Sequence, residues 1–175
     1  MYTKQEIASC LLESSRSLST CIQQMNNERF FAPAASSAWS PAQHLEHLVR
    51  STAAVNYAIT MPRFILRLFG KPNRPGRTYD ELKKKYLEKL SKGGRATGRY
   101  VPPDAHKVDR NKVQARYRKV SEKLLLKVSA MQEDDMDKYL LPHPLLGKIT
   151  LREMFFFTIY HTYHHLDIIN NNRSV

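Results

Sequence analysis

Apolar positions recur along most of this chain at the spacing of amphipathic helices, and no segment shows the alternation of a strand. From Thr3 to about Asn26, the residues Ile7, Leu11, Leu18 and Ile22 share one helical face, and Thr3 is placed to cap the start. The stretch "FFAPAASSAWSP" breaks that pattern. Ser40, Pro41 and Gln43 then make an S-x-x-Q capping box with proline at the first helical position. A second helix is expected from there to about Ile59, with Pro62 kinking or ending it. "GKPNRPGRT" reads as a loop and Asp80 to Leu90 as a short basic helix. "SKGGRATGRYVPPDAH" is the longest irregular stretch, of the kind that carries function or moves in a compact domain. Asp109 can cap a helix to about Met131, with Val113, Tyr117, Val120, Leu124 and Val128 on one face. "YLLPHPLLGK" reads as another loop, and Thr150 with Glu153 repeats the capping-box logic for the last helix.

Four long helices and one short one must bury their apolar faces on a common core. The fold class this predicts is all-α, a four-helix bundle with long connecting loops and an extra short helix. A chain of 175 residues, 42% of them hydrophobic, supports one core, so residues 1–175 are expected to form a single domain. Lys4, Glu6, Glu13 and Arg16 interrupt the N-terminal segment, so it lacks the uninterrupted apolar core expected of a signal peptide or membrane span. A soluble cytoplasmic protein with no membrane partner is expected. Cys10 and Cys21 fall on the first helix about 16 Å apart along its axis, too far to pair with each other, and show no CxxC spacing.

Charge changes the picture locally. The net charge is +12, yet residues 61–127 hold 20 Lys+Arg and 6 Asp+Glu, a net of +14, and the remainder holds 8 and 10, a net of −2. Such a run is either a solvated face or a surface for phosphates or carboxylates. No RNP, zinc-finger or GxxG-clamp pattern accompanies it, so nucleic acid is not the expected partner.

The candidate chemistry lies in "FFFTIYHTYHHLDII", where His161, His164 and His165 interrupt an apolar run. Stepping about 100° per residue from His161 puts His165 near 40°, in an arc with Met154, Thr158, Leu151 and Phe155. His164 falls near 300°, beside Glu153 and Asp167 on the polar side. His161 and His165 therefore point inward and His164 toward the rim. On the second helix His44 and His47 both face inward, and the face analysis does not choose between them. Ser51, Ala54 and Ala58 in line with His47 leave room for a pocket. Inward imidazoles on two helices need partners for their desolvated nitrogens, and an i, i+4 pair can converge on one ion at about 2.0–2.1 Å. Thr162 stands where an HExxH site would carry its glutamate, so this is not a zincin motif. Glu46 turns away from these histidines, and the loop residues His106 and His143 have no assigned place.

The blocks "WSPAQHLEHLVRS" and "LLPHPLLGKITLREMFFFTIYHTYHHLDII" resemble the DinB-like superfamily, which includes the YfiT-like metal-dependent hydrolases. The resemblance implies a four-helix bundle, a homodimer, and a metal site built from one histidine of the second helix and the HxxxH pair of the last. Matched motif by motif, the implied ligands are His47, His161 and His165, with His44 and His164 as neighbours. Three neutral imidazoles suit Zn²⁺ or Ni²⁺ and leave at least one position for water. The implied activity is that of a metal-dependent hydrolase, or of a thiol S-transferase using a low-molecular-weight thiol, acting on a small molecule. No separate catalytic residue is identified. A competing reading is a non-catalytic binding protein that uses residues 61–127 for an anionic partner such as nucleic acid; a third is metal storage or sensing. The loops Pro62 to Thr78 and Ser91 to Asp109 are long enough to bring Arg74, Arg77, Arg95, Arg99 and Lys107 to the mouth of the site, which would favour an anionic substrate.

Overall fold

Capping side chains set where the long helices begin. The computed structural model describes residues 2–35 and 38–171, so Ser36 and Ser37, within the break that follows the first helix, lie outside the described residues. Thr3 and Glu6 form a capping box at the start of α1 (Lys4–Gln24), and Ser40 with Gln43 forms another, with Pro41 at the first position, for α3 (Pro41–Ala58). Thr78 and Glu81 do the same for α5 (Tyr79–Ser91), and the Asp109 side chain caps α6 (Arg110–Ala130). Thr150 and Glu153 exchange hydrogen bonds of 3.1 Å at the start of α8 (Leu151–Asn171). Short helices α2 (Asn27–Phe31), α4 (Arg63–Leu68) and α7 (Asp135–Lys138) fill connections that carry too few residues to show a period. α3 ends at Ala58, ahead of Pro62, which sits at the N-cap of α4.

The long helices pack in a closed ring: α1 lies against α6 and α8, and α3 lies against the same two, with α5 added on the outside of α8. The architecture is the expected four-helix bundle. Its apolar core falls into two clusters. Leu18, Ile22, Phe30, Leu45, Leu48 and Ile169 make one, and Ile7, Leu11, Val55, Leu124, Phe155 and Phe156 belong to the other. Between them along the helices lie the buried polar residues Ser14, Thr52, Thr158 and Thr162 and four histidines. The polar layer is satisfied from within: Ser14, Thr158 and Thr162 each donate to a carbonyl of the preceding turn, and Tyr117 hydrogen-bonds Thr162 and Ser121.

Two sequence expectations are corrected here. "YLLPHPLLGK" is not a loop but a hairpin of β1 (Leu140–His143) and β2 (Gly147–Thr150), with Leu141 paired to Ile149 and Gly147 at φ 74°. Each strand is only four residues long, and Leu140 and Leu141 are both buried, so no alternation is visible. Glu153 does not lie on a solvated side of the last helix. It is fully buried, because the segment before α5 folds over it: Arg74 clamps its two oxygens at 2.7 and 2.8 Å, and the Arg77 amide donates to it at 2.7 Å.

Burial alone would raise the Glu153 pKa, but Arg74 and the amides of Arg77 and Thr150 outweigh it and hold the carboxyl below its ordinary value. Its contribution to stability is therefore complete above the ordinary carboxyl pKa and is lost as pH falls through the lowered one. Glu153→Ala should destabilise the fold by about 3 kcal/mol at pH 7, with a smaller deficit in acid. Urea unfolding of both proteins at the two pH values measures it.

Candidate metal centre

His47 is projected from the middle of α3, and His161 and His165 from successive turns of α8, toward one point. The His161 Nε2 lies 3.0 Å from the Nε2 of His47 and 3.0 Å from the Nε2 of His165. All three rings are buried. The outer nitrogens fix how these rings are turned. His47 Nδ1–H donates to the carbonyl of Tyr100 at 2.7 Å, which leaves its neutral ring with a bare lone pair on Nε2. The Nδ1 of His165 meets the Nδ1 of His44 at 2.8 Å, so one of those two nitrogens carries the proton between them.

Burial lowers the pKa of every ring in the group. His44 falls to about 3, His47 falls despite the opposing Tyr100 carbonyl, and His161 and His165 fall well below the ordinary value. The rings are neutral at pH 7. With the His47 Nε2 bare, whichever tautomers His161 and His165 adopt, at least one facing pair is left without a good hydrogen bond unless something electrophilic lies between them. A single N–H on His161 can serve only one neighbour well, whereas a cation serves all three. Tetrahedral Zn–N bonds of 2.0–2.1 Å would separate such donors by about 3.3 Å, near the 3.0 Å from His161 to each of its two neighbours, and all three nitrogens lie within 4.8 Å of one another. The donor set fits a divalent metal. A carbonyl and a second imidazole on the outer nitrogens are the supports expected behind histidine ligands.

The cluster forms part of the wall of a cavity of about 490 Å³. His164 also lines it, half-buried at the rim as its position on the helix implied, while His44 stands behind His165 as its hydrogen-bond partner. Glu46 is turned away, as expected, and is held by Arg50 and Arg116. His106 does not line the cavity, but His143 does. Its Nδ1 accepts the amides of Leu145 and Leu146 at 3.2 Å each, so its proton sits on Nε2, and burial lowers its pKa to about 4. No local pattern assigns this residue a place, because the hairpin that delivers it has strands only four residues long. Among the described residues, no Asp or Glu lines the cavity.

The long irregular segment after α5 is strapped across this opening. Gly93, at φ 86°, and Gly94 close the end of α5, their amides donating to Leu90 and Lys89. Farther along, Gln43 holds the Pro103 carbonyl, His47 holds that of Tyr100, and Arg50 holds those of Arg99 and Val101. Of the five basic residues expected at the mouth, Arg95 and Arg99 line the cavity. Arg74 and Arg77 do not, being tied to Glu153, and Lys107 pairs with Asp104.

A family model described as the DinB superfamily matches residues 11–169. The chain belongs to the DinB superfamily. Three solved structures share its fold. TT2238, a four-helix bundle protein, is 16% identical with a TM-score of 0.61, over 97% of this chain and 99% of that one. YfiT from Bacillus subtilis, described as a probable metal-dependent hydrolase with an unusual four-helix bundle topology, is 20% identical with a TM-score of 0.62, over 97% and 85%. The colibactin self-resistance protein ClbS, solved with a dsDNA, is 15% identical with a TM-score of 0.61, over 98% and 95%. No curated protein matches this DinB chain in sequence. Among its described residues, no helix is long and apolar enough to cross a membrane.

In this DinB chain three histidines meet at one point, His44 stands behind His165 and His164 lies at the rim. His47→Ala, His161→Ala and His165→Ala should each lose most bound metal, and His164→Ala should keep it. His44→Ala should bind metal about tenfold or more weakly without losing the site, because it removes only the support behind His165. Metal analysis and chelator competition on the five variants test this ordering, and equal loss in all five would contradict it.

Proposed function

We propose that this protein is a metal-dependent enzyme, a hydrolase or a thiol S-transferase, acting on a small molecule in the cavity beside His47, His161 and His165. Those three residues would hold the ion, with Zn²⁺ or Ni²⁺ the ions best suited to three neutral imidazoles. When bound, such an ion lowers the pKa of a coordinated water or thiol enough to supply a nucleophile near neutral pH. A low-molecular-weight thiol is the cosubstrate in the transferase form of the proposal. The observation that carries the reading is the meeting of three buried imidazole nitrogens beside an open, ligand-sized cavity.

The chain's own groups divide the remaining work. Tyr100 and His44 hold the outer nitrogens of two ligand rings and so keep the inner ones aimed. His143, with its proton fixed on Nε2, is a hydrogen-bond donor for a substrate carbonyl or leaving group rather than a base. Leu141, Met154 and Phe157 give the cavity an apolar wall beside the histidines.

A second reading has its own support. Lys84, Lys119 and Lys123, and Arg118, are exposed on α5 and α6, and the structural neighbour ClbS was solved with dsDNA. A non-catalytic nucleic-acid binder would use that surface.

Ester hydrolysis and thiol transfer should both be screened with metal-loaded and chelator-stripped protein. Activity should appear only with metal, return on adding Zn²⁺ or Ni²⁺, and fall to background in His161→Ala. A salt titration with duplex DNA separates the second reading: binding should be weak and vanish by physiological salt. Submicromolar, salt-resistant binding with no metal-dependent turnover would replace the enzyme by the binder.

A further inference from the structure

We infer that the substrate is a carboxylate-bearing molecule with an apolar body, its carboxylate held by Arg95 and Arg99 and its hydrocarbon lying in the cavity. The inference deepens the proposed function and rests on it for the reacting end alone. Two features of the cavity, independent of each other, lead to it.

The first is the walls. Val55 and Ala58 of α3, Met61 just beyond it, Leu90 of α5, Leu141 of the hairpin and Phe157 of α8 all face the cavity. A sugar or nucleotide placed against them would bury hydroxyls without partners, at a cost for each. An acyl chain or aryl ring would instead remove apolar surface from water on both sides of the contact. The volume of about 490 Å³ lies within the range of small-molecule sites.

The second is the charge. Several arginines of the bundle already hold carboxylates: Arg50 and Arg116 hold Glu46, Arg74 holds Glu153, and Arg152 holds Asp137. Arg95 and Arg99 are different. Among the described residues, Arg95 reaches only the carbonyl of Gly94, and Arg99 lies over the Tyr100 ring at 5.3 Å and near its hydroxyl at 3.3 Å. Neither meets a carboxylate, and both line the cavity, whose wall contains no acid among the described residues. Their placement is built in. The Arg99 carbonyl is gripped by Arg50 at 3.1 Å, and the next carbonyl, that of Tyr100, by His47 at 2.7 Å. The backbone that presents Arg99 is thus tied to the helix that presents His47, which fixes the two ends of a bound molecule relative to each other. A planar carboxylate suits a guanidinium fork so presented.

Trp39 provides the test, because it is the only tryptophan, lines the cavity and stacks on His165 at 6.5 Å. Chelator-stripped protein, its metal content measured beforehand, is titrated with decanoate, decanol and succinate while Trp39 fluorescence is followed. Removing the metal ensures that a carboxylate is not simply coordinating it. Saturable binding of decanoate, about tenfold or more tighter than decanol, with no response to succinate, is expected. In Arg95→Ala/Arg99→Ala the two ten-carbon ligands should bind alike, with decanol unchanged from wild type, which shows that the cavity is intact. Equal wild-type affinity for decanoate and decanol would overturn the role of the arginines. Binding of succinate as tight as that of decanoate would overturn the apolar body. Either failure leaves the metal content, and so the metal reading, standing on its own measurement.

Discussion

Three neutral imidazoles aimed at one another inside a helical bundle are the constraint around which the rest of the protein is arranged. Desolvated ring nitrogens are costly unless each has a partner, and here two outer nitrogens have one while the inner three share a single point. That arrangement fixes the relative height and rotation of α3 and α8. It also divides the core: apolar clusters lie toward both ends, and a polar layer of Ser14, Thr52, Thr158 and Thr162 lies level with the histidines. A bundle built for stability alone would fill that layer with leucine.

The strongly basic middle of the chain is three populations with different physical roles. Arg74 and Arg77 neutralise buried Glu153 and pin the segment before α5 to the start of α8, while Arg116 meets Glu46 and Arg110 donates to the carbonyls of Ile22 and Met25. These charges are structural. Arg95 and Arg99 belong to the cavity, and lysines such as Lys84 and Lys119 remain in solvent. The neighbours, at 20% identity or less, establish the fold, and the reaction must be read from the site itself.

Much of this was legible in the chain. The capping residues Thr3, Ser40, Asp109 and Thr150 act locally, so the long helices could be placed from short-range chemistry, and the 3.6-residue period separated His161 and His165 from His164. His44 and His47 could not be separated that way, since both face inward; what distinguishes them is the Tyr100 carbonyl, which arrives from a residue far along the chain. The burial of Glu153 has the same origin, because its partners Arg74 and Arg77 lie more than one helix away in sequence. His143 was hidden by a hairpin too short to show a period. In each case the missing information was a long-range contact, which no local pattern encodes.

The most direct test of the central claim is X-ray absorption on freshly purified protein whose metal content is measured in parallel. One divalent ion per chain, with three imidazole nitrogens and at least one further oxygen or nitrogen ligand in its shell and no sulfur from the protein, is the result this account requires. Protein that neither retains nor takes up a stoichiometric ion, or one whose ion is bound by ligands other than histidine, would contradict it.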